Sequence, residues 1–245
     1  MKKYINYHEV SGISNKILEG SFLKRRFFTI LKKRRKAKLF YRLYGLPSVE
    51  ETATKVLDIG CGSGYTLAML KELNPLVETY GVDIIKANDL PSFIKFYKVD
   101  LEKESLPFND ESFDFVMCRG VIEHVLNPLN IFNESFRVLK KGGKLHVLTE
   151  NWTSILVPST SNKFTAHTTN FYDDYTHIRP YTKKSLERMF KTSNFSNIKI
   201  WTERNILIIS LMPILFLLQI THKFDLGRLI FEIFGVELFG EAYKP

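Results

Sequence analysis

A short apolar run that ends in an aspartate and passes directly into a glycine-rich turn constrains the fold of this chain more than any other stretch. Residues 56–64 read Val-Leu-Asp-Ile-Gly-Cys-Gly-Ser-Gly, and residues 65–73 follow with apolar side chains at helical spacing. This order predicts a strand, a tight turn and a helix, the first unit of a nucleotide-binding α/β sheet. Gly60, Gly62 and Gly64 lack a Cβ atom, so the backbone can turn sharply there and lie against a ligand.

Further apolar runs predict that this unit continues into a larger sheet. The predicted strands cover residues 77–83, 96–100, 112–118, 144–149, 197–202 and 235–244. A helix is predicted over 128–139, with the Lys-Lys-Gly-Gly run of 140–143 closing it, and a second helix is predicted over 183–192. Thr182 has the side chain expected of an N-cap for that second helix. Strands that alternate with helices imply an α/β fold with a parallel, doubly wound sheet.

The positive charge of the chain is concentrated near its N-terminus. Residues 1–45 hold 13 Lys and Arg against two Glu, whereas the whole chain has a net charge of +9. Within residues 21–46, apolar side chains recur at helical spacing, which predicts a basic amphipathic helix. We therefore divide the chain into a basic arm over 1–47 and a globular domain over 48–245. Such an arm can lie on an anionic membrane, bind nucleic acid or cover the sheet; its interleaved Phe and Leu favour a membrane over nucleic acid.

Two segments of the domain have a composition that sets them apart. Residues 150–182 are polar and aromatic without clear periodicity and follow a predicted strand, so we expect a substrate lid region there. Residues 205–235 predict an apolar helical insertion before the last strand. Its core, 206–220, has 15 residues with Pro213 in the middle, fewer than the roughly 20 that span a bilayer. A buried helix, a homodimer contact and shallow membrane insertion remain open for this segment.

The cysteines and the N-terminal residues bear on the compartment. Cys61 and Cys118 are the two cysteines of the chain, and we expect both to be reduced thiols. No apolar segment of the kind found in secretory signals follows the first basic residues. The expected location is therefore cytoplasmic, with a peripheral position at the inner face of the membrane as an extension of that expectation.

Strands that end in Asp58, Asp83 and Asp100, together with the glycine turn, resemble the class I S-adenosylmethionine-dependent methyltransferases. Other segments look like the small-molecule, methyltransferase type 11-like branch of that family: 105–108, 113–114, 121–125, 137–143 and 177–182. The resemblance covers roughly residues 50–204, and 239–245 is similar to the final strand. It implies a Rossmann-like, mostly parallel seven-stranded sheet with an antiparallel last strand.

The main alternative for the glycine turn is a dinucleotide-binding enzyme. That fingerprint is Gly-x-Gly-x-x-Gly, and its third glycine would fall at position 65, which is Tyr65 here. The turn therefore favours the methyltransferase.

The resemblance implies S-adenosylmethionine as the cofactor and assigns contacts to it. The implied contacts all lie at or just after strand ends: Asp58, Gly60, Cys61, Gly62, Gly64, Asp83, Ile84, Asp100, Leu101, Cys118 and Arg119. Asp58 should hold the amino group of the methionine moiety, Asp83 the ribose hydroxyls, and Asp100 the adenine amino group. Cys118 and Arg119 should line the methionyl side near the reacting methyl. Asp83 also lies 23 residues after Gly60, near the spacing of a ribose-binding carboxylate.

A base is useful if the methyl acceptor is a hydroxyl group. His124 and His177 are the predicted catalytic residues for this role. Glu123, Tyr172 and Asp173 are lesser candidates.

A metal ion is not predicted. A quinone-pathway O-methyltransferase family and a small-RNA methyltransferase family hold a divalent metal with Glu-x-x-Glu-His, but residues 120–124 begin with Gly120 here. Glu123 and His124 alone could hold a hard cation only with help from elsewhere in the chain.

Three functions are consistent with these observations. The basic arm and the apolar insertion favour methyl transfer to a small-molecule or lipid-linked acceptor at the cytosolic face of an anionic membrane. A second reading is a soluble-metabolite methyltransferase with the apolar segment in a homodimer contact. The third is a catalytically silent cofactor-binding scaffold, against which the intact Asp58, glycine turn and Asp83 argue.

Overall fold

A mixed β-sheet organises the part of the chain that the computed structural model describes, residues 55–157, 159, 170–202, 210 and 233–245. The strands are β1 Lys55–Ile59, β2 Glu78–Asp83, β3 Ile94–Lys98, β4 Phe113–Arg119, β5 Leu139–Glu150, β6 Ser196–Thr202 and β7 Glu237–Tyr243. The helices are α1 Tyr65–Leu73, α2 Pro128–Val138 and α3 Lys183–Thr192, with short 3₁₀ helices at Trp152–Leu156 and Phe171–Asp173.

The sheet has the predicted topology. Its seven strands lie in the order β3-β2-β1-β4-β5-β7-β6. β7 runs antiparallel to both of its neighbours, β5 and β6, and the other strand pairs are parallel. The doubly wound α/β sheet with an antiparallel last strand is therefore confirmed.

The central strands are apolar because both faces of the sheet are covered. Val56, Leu57 and Ile59 of β1 are fully buried, as are Val116 and Met117 of β4. Continuous apolar runs of this kind are typical of parallel strands, because both faces of a parallel sheet are covered and shielded from solvent. This packing fixes β1 and β4 side by side, and their ends carry the candidate site.

The helices α2 and α3, which follow β4 and β5, show the predicted signs of helical sequence: α2 has a buried apolar face and α3 has an N-terminal cap. Ile131, Phe132 and Val138 of α2 are buried at helical intervals. Thr182 caps α3 as predicted: its side chain accepts a hydrogen bond from the Ser185 backbone N–H, and the Ser185 side chain accepts one from that of Thr182.

Two predicted boundaries are wrong. α2 ends at Val138, and residues 140–143 belong to β5 instead of closing the helix. They are held there by pairing with the chain end, since Gly142 N donates to Lys244 O at 2.9 Å. In addition, β3 ends at Lys98, so Asp100 lies two residues beyond the strand.

Two predicted segments lie outside the described residues. These are the basic arm over 1–47 and the apolar insertion over 205–235, of which the structure describes 210 and 233–235. Among the described residues, no helix combines the length and apolar character needed to cross a bilayer.

Candidate functional site

The candidate site lies where the order of the strands reverses. β1 pairs with β2 on one side and with β4 on the other, so the connections after β1 and β4 leave in opposite directions. Ligands of open α/β sheets bind in the crevice at the carboxyl ends of such strands. The predicted cofactor residues follow β1, β2, β3 and β4 at this same edge.

The glycine turn after β1 is tied to β2 by backbone and side-chain hydrogen bonds. Gly60 N and Cys61 N both donate to Val82 O, at 2.8 and 3.1 Å. Gly62 N donates to the Asp83 carboxylate (Oδ2) at 2.9 Å. Asp83 therefore orders the turn while it stands at the end of its own strand.

A backbone hydrogen bond holds the segment that contains Asp100 next to Asp83: Val99 N donates to Asp83 O at 3.0 Å. Its carboxylate accepts from Lys103 Nζ at 2.7 Å and from Glu102 N at 3.1 Å. The bond from Lys103 is the main reason why the pKa of Asp100 is lowered. The carboxylate thus faces its own turn in this structure, and its contact with adenine stays a prediction.

The neighbours of these two acids differ in exposure. Ile84 follows Asp83 directly and is exposed, whereas Leu101 follows Asp100 and packs against the hydrophobic core. Both lie where an adenosine group bound to the acids would need apolar contact.

Asp58 is a buried acid at the end of β1. It is only 4% exposed, and burial raises its pKa to about 7, although Arg119 opposes the shift. A carboxylate in this position favours a cationic ligand, because a bound positive charge offsets the lost hydration. Arg119 lies at the end of β4, is half-buried and is close enough to Asp58 to act on its pKa; its contact with the methionyl group stays a prediction.

The two cysteines, Cys61 and Cys118, are both buried. Cys61 is buried, and its Sγ would lie 2.7 Å from a Cβ on Gly81, so glycine is required at that position of β2. Cys118 is fully buried in the hydrophobic core. Burial raises the pKa of both thiols. Any contact of Cys118 with a cofactor would therefore come from its backbone.

A second polar group, the acceptor-side cluster, consists of Glu123, His124 and His177. One oxygen or nitrogen atom of each residue lies within 4.8 Å of the others. The two imidazole rings have their centroids 4.6 Å apart. Glu123 is 3% exposed and its Oε2 accepts from Thr149 Oγ1 at 2.8 Å. The structure thus brings together residues that are 53 positions apart in the sequence.

The acceptor-side cluster is held by bonds between the connections that follow β4 and β5. Ile178 N donates to Glu123 O at 2.8 Å, and Arg179 donates to Leu126 O at 2.7 Å. The buried Tyr181 hydroxyl donates to Ile122 O at 2.9 Å. These bonds make the 170–182 segment a fixed wall of the site.

Contact between Gly60 and Val121 joins the two halves of the site. A Cβ at Gly60 would lie 2.2 Å from Val121 Cγ2. Val121 stands two residues before Glu123, so the glycine turn and the acceptor-side cluster are adjacent.

The ionisation of the cluster follows from its burial. Burial lowers the pKa of His124 to about 4, and the neighbouring His177 adds to that effect. Burial also raises the pKa of Glu123, with Glu150 acting in the same direction. His124 is therefore neutral at pH 7, with one ring nitrogen available as an acceptor.

Sequence reasoning missed four residues around the cluster. Thr149 and Glu150 end β5, and Asp174 and Thr176 lie in the lid region. Glu150 Oε1 lies 4.0 Å from His177 Nδ1, and Asp174 Oδ2 lies 3.9 Å from His177 Nε2. Glu150 could have been found by the strand-end rule that located Asp58 and Asp83. The two lesser candidates in this segment are not part of the cluster. Tyr172 is exposed, and Asp173 accepts a hydrogen bond from Asn170 N as part of a helix cap.

Comparison with known families decides the class of protein. A family model described as a methyltransferase domain matches residues 23–200, more than half of the chain. The chain belongs to this methyltransferase family.

Relatives of the methyltransferase are recognisable over part of their length. An uncharacterized protein of Methanocaldococcus jannaschii is 37% identical over 109 residues, which are 44% of this chain and 46% of that protein. A ubiquinone biosynthesis O-methyltransferase of Xanthomonas oryzae pv. oryzae is 32% identical over 105 residues, 40% of this chain and 44% of that protein. The chain spans about half the length of these curated relatives.

A solved structure supports the same fold. Phosphoethanolamine N-methyltransferase 2 of Haemonchus contortus, in complex with phosphomonomethylethanolamine and S-adenosylhomocysteine, superposes with a TM-score of 0.58 at 18% identity. The match covers 87% of this chain and 53% of that one. The predicted class I methyltransferase fold and its family cofactor, S-adenosylmethionine, are thereby confirmed.

The raised pKa of Asp58 predicts a pH-dependent affinity of the methyltransferase for its cofactor. Asp58 is the predicted partner of the cofactor's ammonium group, and that contact needs the ionised carboxyl, so we expect the affinity for S-adenosylhomocysteine to fall as the pH drops below about 7. The loss should approach about tenfold per pH unit, as the ionised fraction does. Calorimetric titration between pH 5.5 and 8 measures this slope. Asp58→Asn should bind more weakly without the slope, whereas an equal slope in that variant would contradict the assignment.

Proposed function

We propose that the methyltransferase transfers the methyl group of S-adenosylmethionine to a hydroxyl of an apolar or lipid-linked acceptor at a membrane surface. The observation that carries this proposal is a rim of exposed apolar side chains at the carboxyl edge of the sheet. The rim comprises Leu126, Trp152, Leu156, Tyr172, Tyr175 and Ile178, which are 42–70% exposed. Large apolar side chains that cluster on a surface commonly mark sites where a protein or membrane binds.

Hydrogen bonds place this rim next to the acceptor-side cluster. Ile178 N bonds to Glu123 O, and Trp152 N bonds to Tyr181 O. Tyr172 follows Phe171, whose ring stacks on that of His177 at 4.6 Å. An acceptor that entered over the rim would therefore meet the cluster with its polar end while its apolar part stayed on the rim.

Methyl transfer requires mainly that the protein align the acceptor with the methyl group of the cofactor. The acceptor oxygen attacks the methyl carbon in line with the sulfur, the carbon–sulfur bond breaks toward sulfur, and the oxygen loses its proton. His124 is neutral at pH 7 because burial lowers its pKa to about 4, so it can accept that proton. A neutral imidazole at this position, that of His124, supports a hydroxyl acceptor.

The basic arm supplies the second argument for a membrane. Residues 1–45 carry 13 Lys and Arg against two Glu, with Phe and Leu between them. Each basic side chain near an anionic membrane contributes about 1 kcal/mol of binding. Attraction of the arm to anionic lipid would be a contribution separate from the apolar contact of the rim.

Vesicle flotation with the full chain tests membrane binding. We expect flotation with vesicles of phosphatidylcholine and phosphatidylserine, and weaker flotation with phosphatidylcholine alone. Leu156→Asp should weaken the partitioning at least about tenfold, because it replaces the burial of one leucine, about 1.5–3 kcal/mol, with a charge.

Leu76→Asp is the matched control. Leu76 is 88% exposed and precedes β2, at the opposite edge of the sheet from the rim. It should float like the unchanged protein. Equal losses in both variants, or no flotation at all, would contradict the proposed membrane surface.

The acceptor is sought with methyl-labelled S-adenosylmethionine and a total lipid extract. Label in a solvent-extractable product that resists mild alkali supports an O-methylated apolar acceptor. Label that appears solely in water-soluble products, with a protein mass that rises with concentration, would favour the soluble-metabolite alternative instead.

A further inference from the structure

We propose that Glu123, His124 and His177 bind a divalent transition-metal ion of the zinc type beside the methyl-transfer site. The sequence predicts no metal because it shows only two ligands, Glu123 and His124. The structure brings His177 to them as a third, with one ligand atom of each residue within 4.8 Å of the others. Ligand atoms around a tetrahedral zinc ion lie about 3.4 Å apart, so small side-chain rotations would close the site.

The hydrogen bonds of His177 fix the tautomer that a metal requires. Its Nδ1 lies 2.7 Å from the Phe171 carbonyl oxygen, which can only accept. Nδ1 therefore carries the hydrogen, and the lone pair is on Nε2. Stacking on Phe171 at 4.6 Å holds the ring in this orientation.

His124 is fixed in the same way by a two-step chain of hydrogen bonds. Its Nδ1 lies 2.8 Å from Thr176 Oγ1, and that hydroxyl donates its one hydrogen to Asp174 Oδ1 at 2.6 Å. The hydroxyl must therefore accept from His124, which leaves the lone pair of this ring on Nε2 as well. Imidazole ligands of metal ions are commonly oriented by such a donation from the other ring nitrogen to a carbonyl or a carboxylate.

Glu123 supplies the negative charge that a cation would balance. It is 3% exposed, and Thr149 donates to its Oε2. A carboxylate buried this deeply loses its hydration, and a bound cation would offset that loss. Glu150 and Asp174 lie 4.0 and 3.9 Å from His177 and make the surroundings more anionic.

The ligand chemistry distinguishes a transition metal from the two other cations such a site could attract. Two imidazoles and one carboxylate suit zinc and its neighbours, whereas magnesium prefers oxygen ligands. An ammonium group would donate hydrogen bonds to the carboxylates, but it would not account for two imidazoles beside Glu123. Three protein ligands are typical of catalytic zinc sites, which keep a position open for water or substrate.

The role of the ion rests on the proposed function, but its binding does not. An ion here would hold the acceptor oxygen and lower the pKa of its hydroxyl, so that neither imidazole would have to act as the base. The adjacency of Val121 and Gly60 places that oxygen near the cofactor turn.

Titration of the full chain with Co²⁺, followed by its visible absorption, tests the inference. We expect one ion to bind with the intense bands of a site with nitrogen and oxygen ligands, and Zn²⁺ to displace it. His177→Ala and Glu123→Gln should weaken binding at least about 100-fold. Thr176→Val, which removes only the support of His124, should weaken it about 10- to 100-fold. Mg²⁺ should fail to displace the cobalt.

Two controls separate this inference from the proposed function. His146→Gln changes a buried histidine of β5, away from the cluster, and should keep the cobalt bands. Asp83→Ala should weaken S-adenosylhomocysteine binding at least about 100-fold and keep the bands. Cofactor binding by a folded protein that takes up no Co²⁺ or Zn²⁺, or uptake that His177→Ala does not change, would overturn the metal site and leave the methyltransferase standing. Uptake without cofactor binding would support the site and overturn the proposed function.

Discussion

Asp83→Ala should reduce the affinity for S-adenosylhomocysteine at least about 100-fold. The carboxylate would accept both ribose hydroxyls, and hydrogen bonds to a charged group contribute about 1.5–3 kcal/mol each. The substitution also removes the acceptor of the Gly62 N–H, 2.9 Å away, so the glycine turn loses a bond that orders it. Isothermal titration of the folded variant measures the loss.

Two further substitutions show which part of Asp83 matters. Asp83→Asn keeps an oxygen for the Gly62 N–H but lacks the charge, so it should bind between the unchanged protein and Asp83→Ala. Asp89→Ala removes an exposed carboxylate from the same connection between β2 and β3 and should bind normally. Normal binding by Asp83→Ala would remove Asp83 from the cofactor site.

The cofactor half of the site could be predicted because local sequence determines it. An apolar run fixes where a strand ends, and in a parallel sheet all such ends meet at one edge. Asp58 and Asp83 follow this rule and end up where predicted. Asp100 departs from it, because β3 stops at Lys98 and the acid turns toward Lys103.

The sequence named the members of the acceptor half, Glu123, His124 and His177, but it could not show that they meet, because contacts between distant segments bring them together. Nothing local to His177 shows that its ring stacks on Phe171 and lies 4.6 Å from that of His124. Irregular segments take their shape from tertiary bonds, here the donation from Tyr181 to Ile122 O and from Ile178 N to Glu123 O. His177 was therefore a catalytic candidate in the sequence, but its place beside Glu123 and His124 was not predictable.

The error at residues 140–143 has the same origin. A Lys-Lys-Gly-Gly run is a good helix stop, and α2 does end just before it at Val138. The run then joins β5 because Gly142 N donates to Lys244 O and Lys244 N donates to Gly143 O. The partner lies 102 residues away, beyond the reach of a local pattern.

Gly60→Ala should destabilise the protein by about 2–5 kcal/mol and abolish cofactor binding. Gly60 has φ +73°, a conformation that costs other residues about 1–2 kcal/mol. The added Cβ would also lie 2.2 Å from Val121 Cγ2, and overpacking of this kind costs about 1–3 kcal/mol more. Urea unfolding of the two proteins measures the difference.

Gly62→Ala separates the two causes, because Gly62 also has a positive φ, +49°, but nothing lies within 4 Å of its added Cβ. It should therefore cost only the backbone strain, about 1–2 kcal/mol. In a Val121→Ala background the clash at Gly60 disappears, so Gly60→Ala should become less damaging by about 1–3 kcal/mol, a coupling that a double-mutant cycle reports. Equal costs at Gly60 and Gly62 with no coupling to Val121 would mean that Gly60 and Val121 are not in contact. Coupling would instead establish the contact by which the cofactor turn and the residues around Glu123 position each other.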